Sequence, residues 1–239
     1  MIIARVQVSV FCNHRIEPIA ENISYLMTEL EKSTSKTYLP SVTTVQNIDM
    51  LTNQIKVVPN LLMKTADQSS QITCMDNRID SVIIGSDQLN PPTMESYVDT
   101  AVAAISIVLR KFNVNGNRLA LNIYSWGQPR PGLVFKANEI SSHSSALAYY
   151  TEKELFEWSS RVNTRVGTEI QGKQEILNVL TDLSIIRNEI DNMRRLQCLV
   201  DINTIGENTA MRFSPEDLNP FCSESVAIAN EIINDVRGK

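Results

Sequence analysis

The sequence predicts an α+β fold made of two tandem copies of one β-α-β-β-α unit, each an antiparallel sheet with helices on one face. Three observations carry this reading. Alternating apolar runs and helical stripes follow the same order in both halves. Two candidate hairpins each place Asp-Asn at the turn and an Asn-Pro helix start downstream, at Asn90-Pro91 and Asn219-Pro220. Between them, residues 127–132 hold two glycines and two prolines in six positions, which breaks any regular element. The lobes are therefore drawn as residues 1–128, β-α-(β)-β-β-α-β, and 129–239, β-α-β-β-α, packed as one unit.

The first strand is read over residues 2–12, where Ile2, Ala4, Val6, Val8, Val10 and Cys12 share one face and Arg5, Gln7 and Ser9 the other. Pro18 then opens a helix whose stripe of Ile19, Ile23, Leu26, Met27 and Leu30 runs to about Glu31. From Thr37 to Thr65, Val42, Val45, Ile55, Val57 and Val58 favour strand. Pro40 and Pro59 deny central pairing there, so one or two irregular edge strands are expected. Residues 71–84 form the first hairpin, with Cys74 opposite Ile79 and Ile72 opposite Ser81. Tyr97, Ala101, Ile105, Val108 and Phe112 mark the buried stripe of a second helix. After the Asn115-Gly116 turn, residues 118–126 make a strand that belongs beside the first one.

The second lobe opens with a short apolar strand, Leu133, Val134 and Phe135. Thr151 and Glu154 are spaced as a capping box, and Leu155, Trp158, Val162, Val166 and Ile170 predict a helix whose Trp158 and Val162 face a sheet. Residues 177–204 read as the second hairpin, turning at Asp191-Asn192. Phe221, Cys222, Val226, Ala229, Ile233 and Val236 close the chain as a helix. A β-α-β-β-α-β order is the order of a ferredoxin-like plait, whose helix-free sheet face is left to bind or dimerise. Such an analogy assigns no function.

Composition narrows the classes. The 239 residues are 43% hydrophobic, enough for a substantial core, and no apolar run is long enough to span a bilayer. The four cysteines are scattered, as expected of reduced thiols in a cytoplasmic protein. A formal charge of -5 repels phosphate backbones, so nucleic acid is disfavoured unless a local basic patch exists. Phosphate-cradle, zinc-protease and nucleophile-elbow motifs do not occur, and no cofactor is implied.

The candidate chemistry is sparse. Cys12 and His14 stand two apart at a strand end, where an imidazole lowers a thiol pKa, yet no third orienting residue accompanies them. Asp76, Arg78 and Asp80 share parity around the first hairpin turn, as metal ligands or, more simply, as a solvated polar face. A two-residue turn at Asp191-Asn192 sets Asp182 directly opposite Asp201. Such a pair needs a cation, a shared proton, or a bulge that shifts the register, and the bulge or a structural partner is the simplest account. Arg118, Tyr124 and Trp126 gather at the end of the first lobe, as stacking groups or as core and rim.

The favoured reading is a non-enzymatic interaction or assembly protein, oligomeric or a subunit of a larger prokaryotic-type complex, with Leu133, Val134 and Phe135 as the edge that meets a protein partner or a second copy. The alternatives are an RNA-binding or RNA-processing protein with paired sheet faces, and a divalent-metal hydrolase using Asp182 and Asp201.

Overall fold

The computed structural model describes residues 1–49, 54–85, 91–127, 157–187 and 193–237. Its nine strands are β1 (Ile2–Phe11), β2 (Tyr38–Asp49), β3 (Gln54–Thr65), β4 (Ser70–Cys74), β5 (Arg78–Ile84), β6 (Arg118–Trp126), β7 (Ser159–Ile170), β8 (Lys173–Arg187) and β9 (Arg194–Thr204). Among the described residues three helices accompany them, α1 (Ala20–Thr34), α2 (Met94–Lys111) and α3 (Leu218–Arg237), with a 3-10 turn at Pro215–Asp217.

All nine strands join one antiparallel sheet in the order β2-β3-β4-β5-β1-β6-β9-β8-β7. This corrects the two-lobe, ferredoxin-like expectation. The join is the β6–β9 ladder, in which Ala120 faces Asn203 and Trp126 faces Gln197. A strand that was to close the first unit instead carries hydrogen bonds into the second half.

The second departure is β7. Residues Ser159–Ile170, whose apolar spacing predicts a helix, are strand, paired to β8 from Ser159–Ser184 to Ile170–Lys173. The cause is a degenerate period: Trp158, Val162, Val166 and Ile170 recur every fourth residue, which places them on one side of a helix and equally on one face of a strand. Thr164 and Thr168 fill the same strand face, and β-branched residues prefer the pleat. Val162, expected against a sheet, is 62% exposed.

Elsewhere local patterning and structure agree. The first hairpin has the expected register, Cys74 opposite Ile79 and Ile72 opposite Ser81, and β6 lies beside β1 with Val8 opposite Leu121. β2 and β3 pair from Tyr38–Thr65 to Asp49–Gln54 at one end of the sheet; the edge strand β2 carries Pro40, whereas Pro59, expected on an edge, lies in the second strand β3, beside the stretch Leu61–Lys64 that pairs with β4. α2 begins after Thr93, whose hydroxyl accepts from the Ser96 N–H, three residues past the expected Asn90-Pro91 start.

The core lies between the helices and one sheet face. Val6, Val8 and Val10 of β1, Leu119, Leu121 and Ile123 of β6, and Val200 and Ile202 of β9 meet Ala101, Ile105 and Val108 of α2 and Phe221, Ala229 and Ile233 of α3, all buried in one cluster. α2 rests on β1 and β5, α3 on β6 and β9, and α2 touches both other helices. No helix among the described residues is long and apolar enough to cross a membrane.

Candidate functional site

Because successive strand residues point to opposite faces, burying Val6, Val8 and Val10 of β1 under the helices sends Arg5, Gln7, Ser9 and Phe11 to the other side; a register shift between Ile3 and Arg5 puts Ile3, rather than the expected Ile2 and Ala4, into the core. Register then assembles that helix-free face, which no helix among the described residues covers. Phe11 stands between Arg78 of β5 and Arg118 of β6, Ser9 between Asp80 and Ala120, Gln7 between Val82 and Asn122, and Arg5 between Ile84 and Tyr124. β9 adds Asn203, Asp201, Leu199 and Gln197 beside Ala120, Asn122, Tyr124 and Trp126.

The side chains interleave guanidinium and ring. Arg118 lies 4.8 Å from the Phe11 centroid and Arg78 5.6 Å from it, so two cations hold one ring. Arg5 sits over Tyr124 at 5.5 Å and Arg195 over Trp126 at 5.8 Å. Hydrogen bonds run along the same face: Arg5 donates to Gln7, and Gln7 to Ser9 at 3.1 Å. Arg118 donates to Asn203 at 2.8 Å, and Asn203 to Asp201 at 3.1 Å.

Asp80 is the buried acid of this surface, 6% exposed, with Oδ2 3.1 Å from the Arg78 Nε. Burial pushes its carboxyl upward, against the pull of the Ser9 hydrogen bond and the Arg78 charge. Among the described residues, the Arg5 Nε, Arg118 Nε and Trp126 indole N–H have no hydrogen-bond partner.

The sequence-proposed sites fare differently. Cys12 is buried, its Sγ 3.8 Å from the His14 carbonyl oxygen, and burial raises its thiol above the ordinary value. His14 is exposed, its ring 6.4 Å from that of Phe112. The contact of this thiol with His14 is thus to the backbone carbonyl. Burial also lifts Cys74 to about 12 and Cys198 to about 11, and raises Cys222 further.

Asp182 faces Leu199, and Asp201 faces Leu180. The register is shifted by two residues from the expected one, so both aspartates keep the same face but stand diagonally, and direct like-charge opposition is avoided. The turn residues Asp191 and Asn192 lie outside the described residues, as do Leu133, Val134 and Phe135. Asp76 pairs with Arg15 at 3.5 Å rather than with Arg78 and Asp80. Among the described residues no group of three or more His, Cys, Asp or Glu side chains is placed to hold a metal ion.

Arg118, Tyr124 and Trp126, noted in the sequence, are brought onto one face. Arg5, Phe11, Arg78 and Arg195 complete it and were missed as a set. Strand parity within β1 already separated Arg5 from the valines. The adjacency of Phe11 to Arg78 and Arg118 needed the sheet order. No protein-family model matches the chain, and no curated protein matches it.

Proposed function

We propose that this chain is a non-enzymatic interaction protein of the cytoplasm that binds a protein partner through the helix-free face of its sheet. The observation that carries this is the interleaving of Arg5, Arg78, Arg118 and Arg195 with Phe11, Tyr124 and Trp126 on four adjacent strands. Arginine and aromatic side chains on a rigid, half-buried platform are the groups that dominate protein interfaces. Asp80, Asp182 and Asp201 share the face, so it presents both signs of charge and suits a mixed protein surface. Buried thiols, each less acidic than a free cysteine, fit a reducing compartment.

A second reading, single-stranded RNA, is favoured by one observation: three rings and four guanidinium groups on one sheet also form a stacking platform. One experiment separates the two. A photo-crosslinking residue at Asn122, in the centre of the face, is irradiated in extract of the source cells, with the same group at exposed Glu21 of α1 as control. A protease-sensitive adduct of defined mass at Asn122 alone, lost in Arg118→Ala, supports the protein partner. A nuclease-sensitive adduct supports RNA. Equal labelling at both positions, or none, overturns the assignment of this face.

A further inference from the structure

The two ends of the sheet are built differently. β2, at one end, carries Pro40, which has no N–H to offer a neighbour. β7, at the other, is a twelve-residue strand without proline whose residues 161–167 are all exposed. Its Val162 and Val166 are 62% and 37% exposed, on the face where Ile170 is buried in the core. Among the described residues no strand lies beyond β7.

The backbone groups of that edge can be assigned. The Ile185 N–H donates to the Trp158 carbonyl at 2.9 Å, continuing the β7–β8 register. In an antiparallel ladder such bonding residues alternate. Even-numbered residues of β7 therefore turn their N–H and C=O toward β8. Arg161, Asn163, Arg165, Gly167 and Glu169 turn theirs outward.

We infer that this outward edge is a self-association surface, and that two copies of the chain pair β7 to β7, antiparallel, about a two-fold axis at Thr164. Strand symmetry and the valine pairing select the axis. The midpoint of Ser159–Ile170 lies between Thr164 and Arg165, so only a two-fold at one of these overlaps nearly the whole strand. An axis at Arg165 sets Arg161 opposite Glu169 but Arg165 opposite its own copy, and it leaves each valine opposite a threonine, Val162 on Thr168 and Val166 on Thr164. An axis at Thr164 sets Arg165 opposite Asn163, Arg161 opposite Gly167 and Glu169 opposite Ser159, with no like charges facing. It also sets Val162 opposite Val166 at a non-hydrogen-bonded position, where side chains approach most closely, and covers both exposed valines. The dimer would carry one continuous sheet through both copies. The inference is independent of the partner proposed for the helix-free face.

The test is the mass of the full chain by light scattering at tens of micromolar, expected to be twice the 26.8 kDa of one copy. Val162→Lys and Val166→Lys, both at exposed positions, should each weaken the dimer about tenfold or more without lowering the unfolding midpoint measured at a dilution where the wild-type chain is also monomeric. Leu39→Lys on the opposite edge strand β2 should leave it intact. Thr164→Cys should yield a disulfide-linked dimer on mild oxidation, since opposed non-bonded pairs stand about 4.5 Å apart at Cα, within disulfide range. The native thiols are all buried and contribute little background. A monomeric wild-type chain, a dimer that both lysine variants leave intact, or a dimer in which Thr164→Cys does not crosslink overturns the inference.

Discussion

Replacing Arg212 with Met should cost this protein a large share of its stability, and the reason can be worked from its contacts. The guanidinium grips Glu175 of β8 at both oxygens, 2.6 and 3.0 Å, with side-chain exposures of 12% and 7% for the two partners. It also donates to the carbonyls of Asn117 and Asn208, and stacks over the buried Phe213 ring at 4.4 Å. Methionine retains contact with the ring but leaves the Glu175 carboxylate buried without its cation. Removing one partner of a buried pair costs about 3–5 kcal/mol. For a chain of this length that corresponds to a drop of roughly 6–20 °C in melting temperature. The comparison variant is Arg212→Met with Glu175→Leu, which removes both charges. It should recover much of the loss, because the penalty is the orphaned carboxylate rather than the missing pair. Urea unfolding of the two single variants and the double gives the coupling directly. A single-variant loss below about 1 kcal/mol, or losses that simply add, would mean that the pair behaves as a solvated surface contact.

Three further outcomes are expected. A Cβ at Gly85 would stand 1.9 Å from the Ile3 carbonyl oxygen, so Gly85→Ala should destabilise by at least about 1–3 kcal/mol in urea titrations, the obstacle being β1 backbone. In the β3–β4 turn, hydrogen bonds from the Thr65 hydroxyl and from the Ser69 N–H and hydroxyl hold the Asp67 carboxyl down at about 2, against 3.8 unperturbed. A depressed acid stabilises fully above its unfolded value and ceases to as pH falls through the folded one. Carboxyl-carbon NMR should find Asp67 titrating near 2, and Asp67→Asn should flatten stability between about pH 4 and 2. All four cysteines should resist maleimide for as long as the chain is folded and react once it is denatured, because burial raises every one of those thiols. Rapid labelling of any one in native buffer would contradict its placement.

What the chain alone determines is its local periodicity. Valine on alternate positions fixes β1, the Asp76-Asn77 turn fixes the β4–β5 register, and the stripes through Tyr97–Phe112 and Phe221–Val236 fix α2 and α3. These signals come from neighbours within a few residues, and burial of one face reads them back unchanged. Local signals fail where two periods coincide. The four-residue spacing of Trp158, Val162, Val166 and Ile170 serves helix and strand alike, and its outcome was decided by the exposed edge of β8, which offered a twelve-residue ladder of hydrogen bonds. Sheet order was likewise beyond local reach, because whether β6 ends a first lobe or bridges to β9 depends on which edges meet once the helices have covered the valines. The candidate face follows the same division. Parity within β1 puts Arg5 and Phe11 opposite the core from sequence alone, whereas gathering Phe11, Arg78 and Arg118 onto one ring required three strands from distant parts of the chain to lie side by side. Tertiary structure decides such adjacency because backbone hydrogen bonds between strands carry no sequence label, and only the burial they jointly permit selects among the pairings.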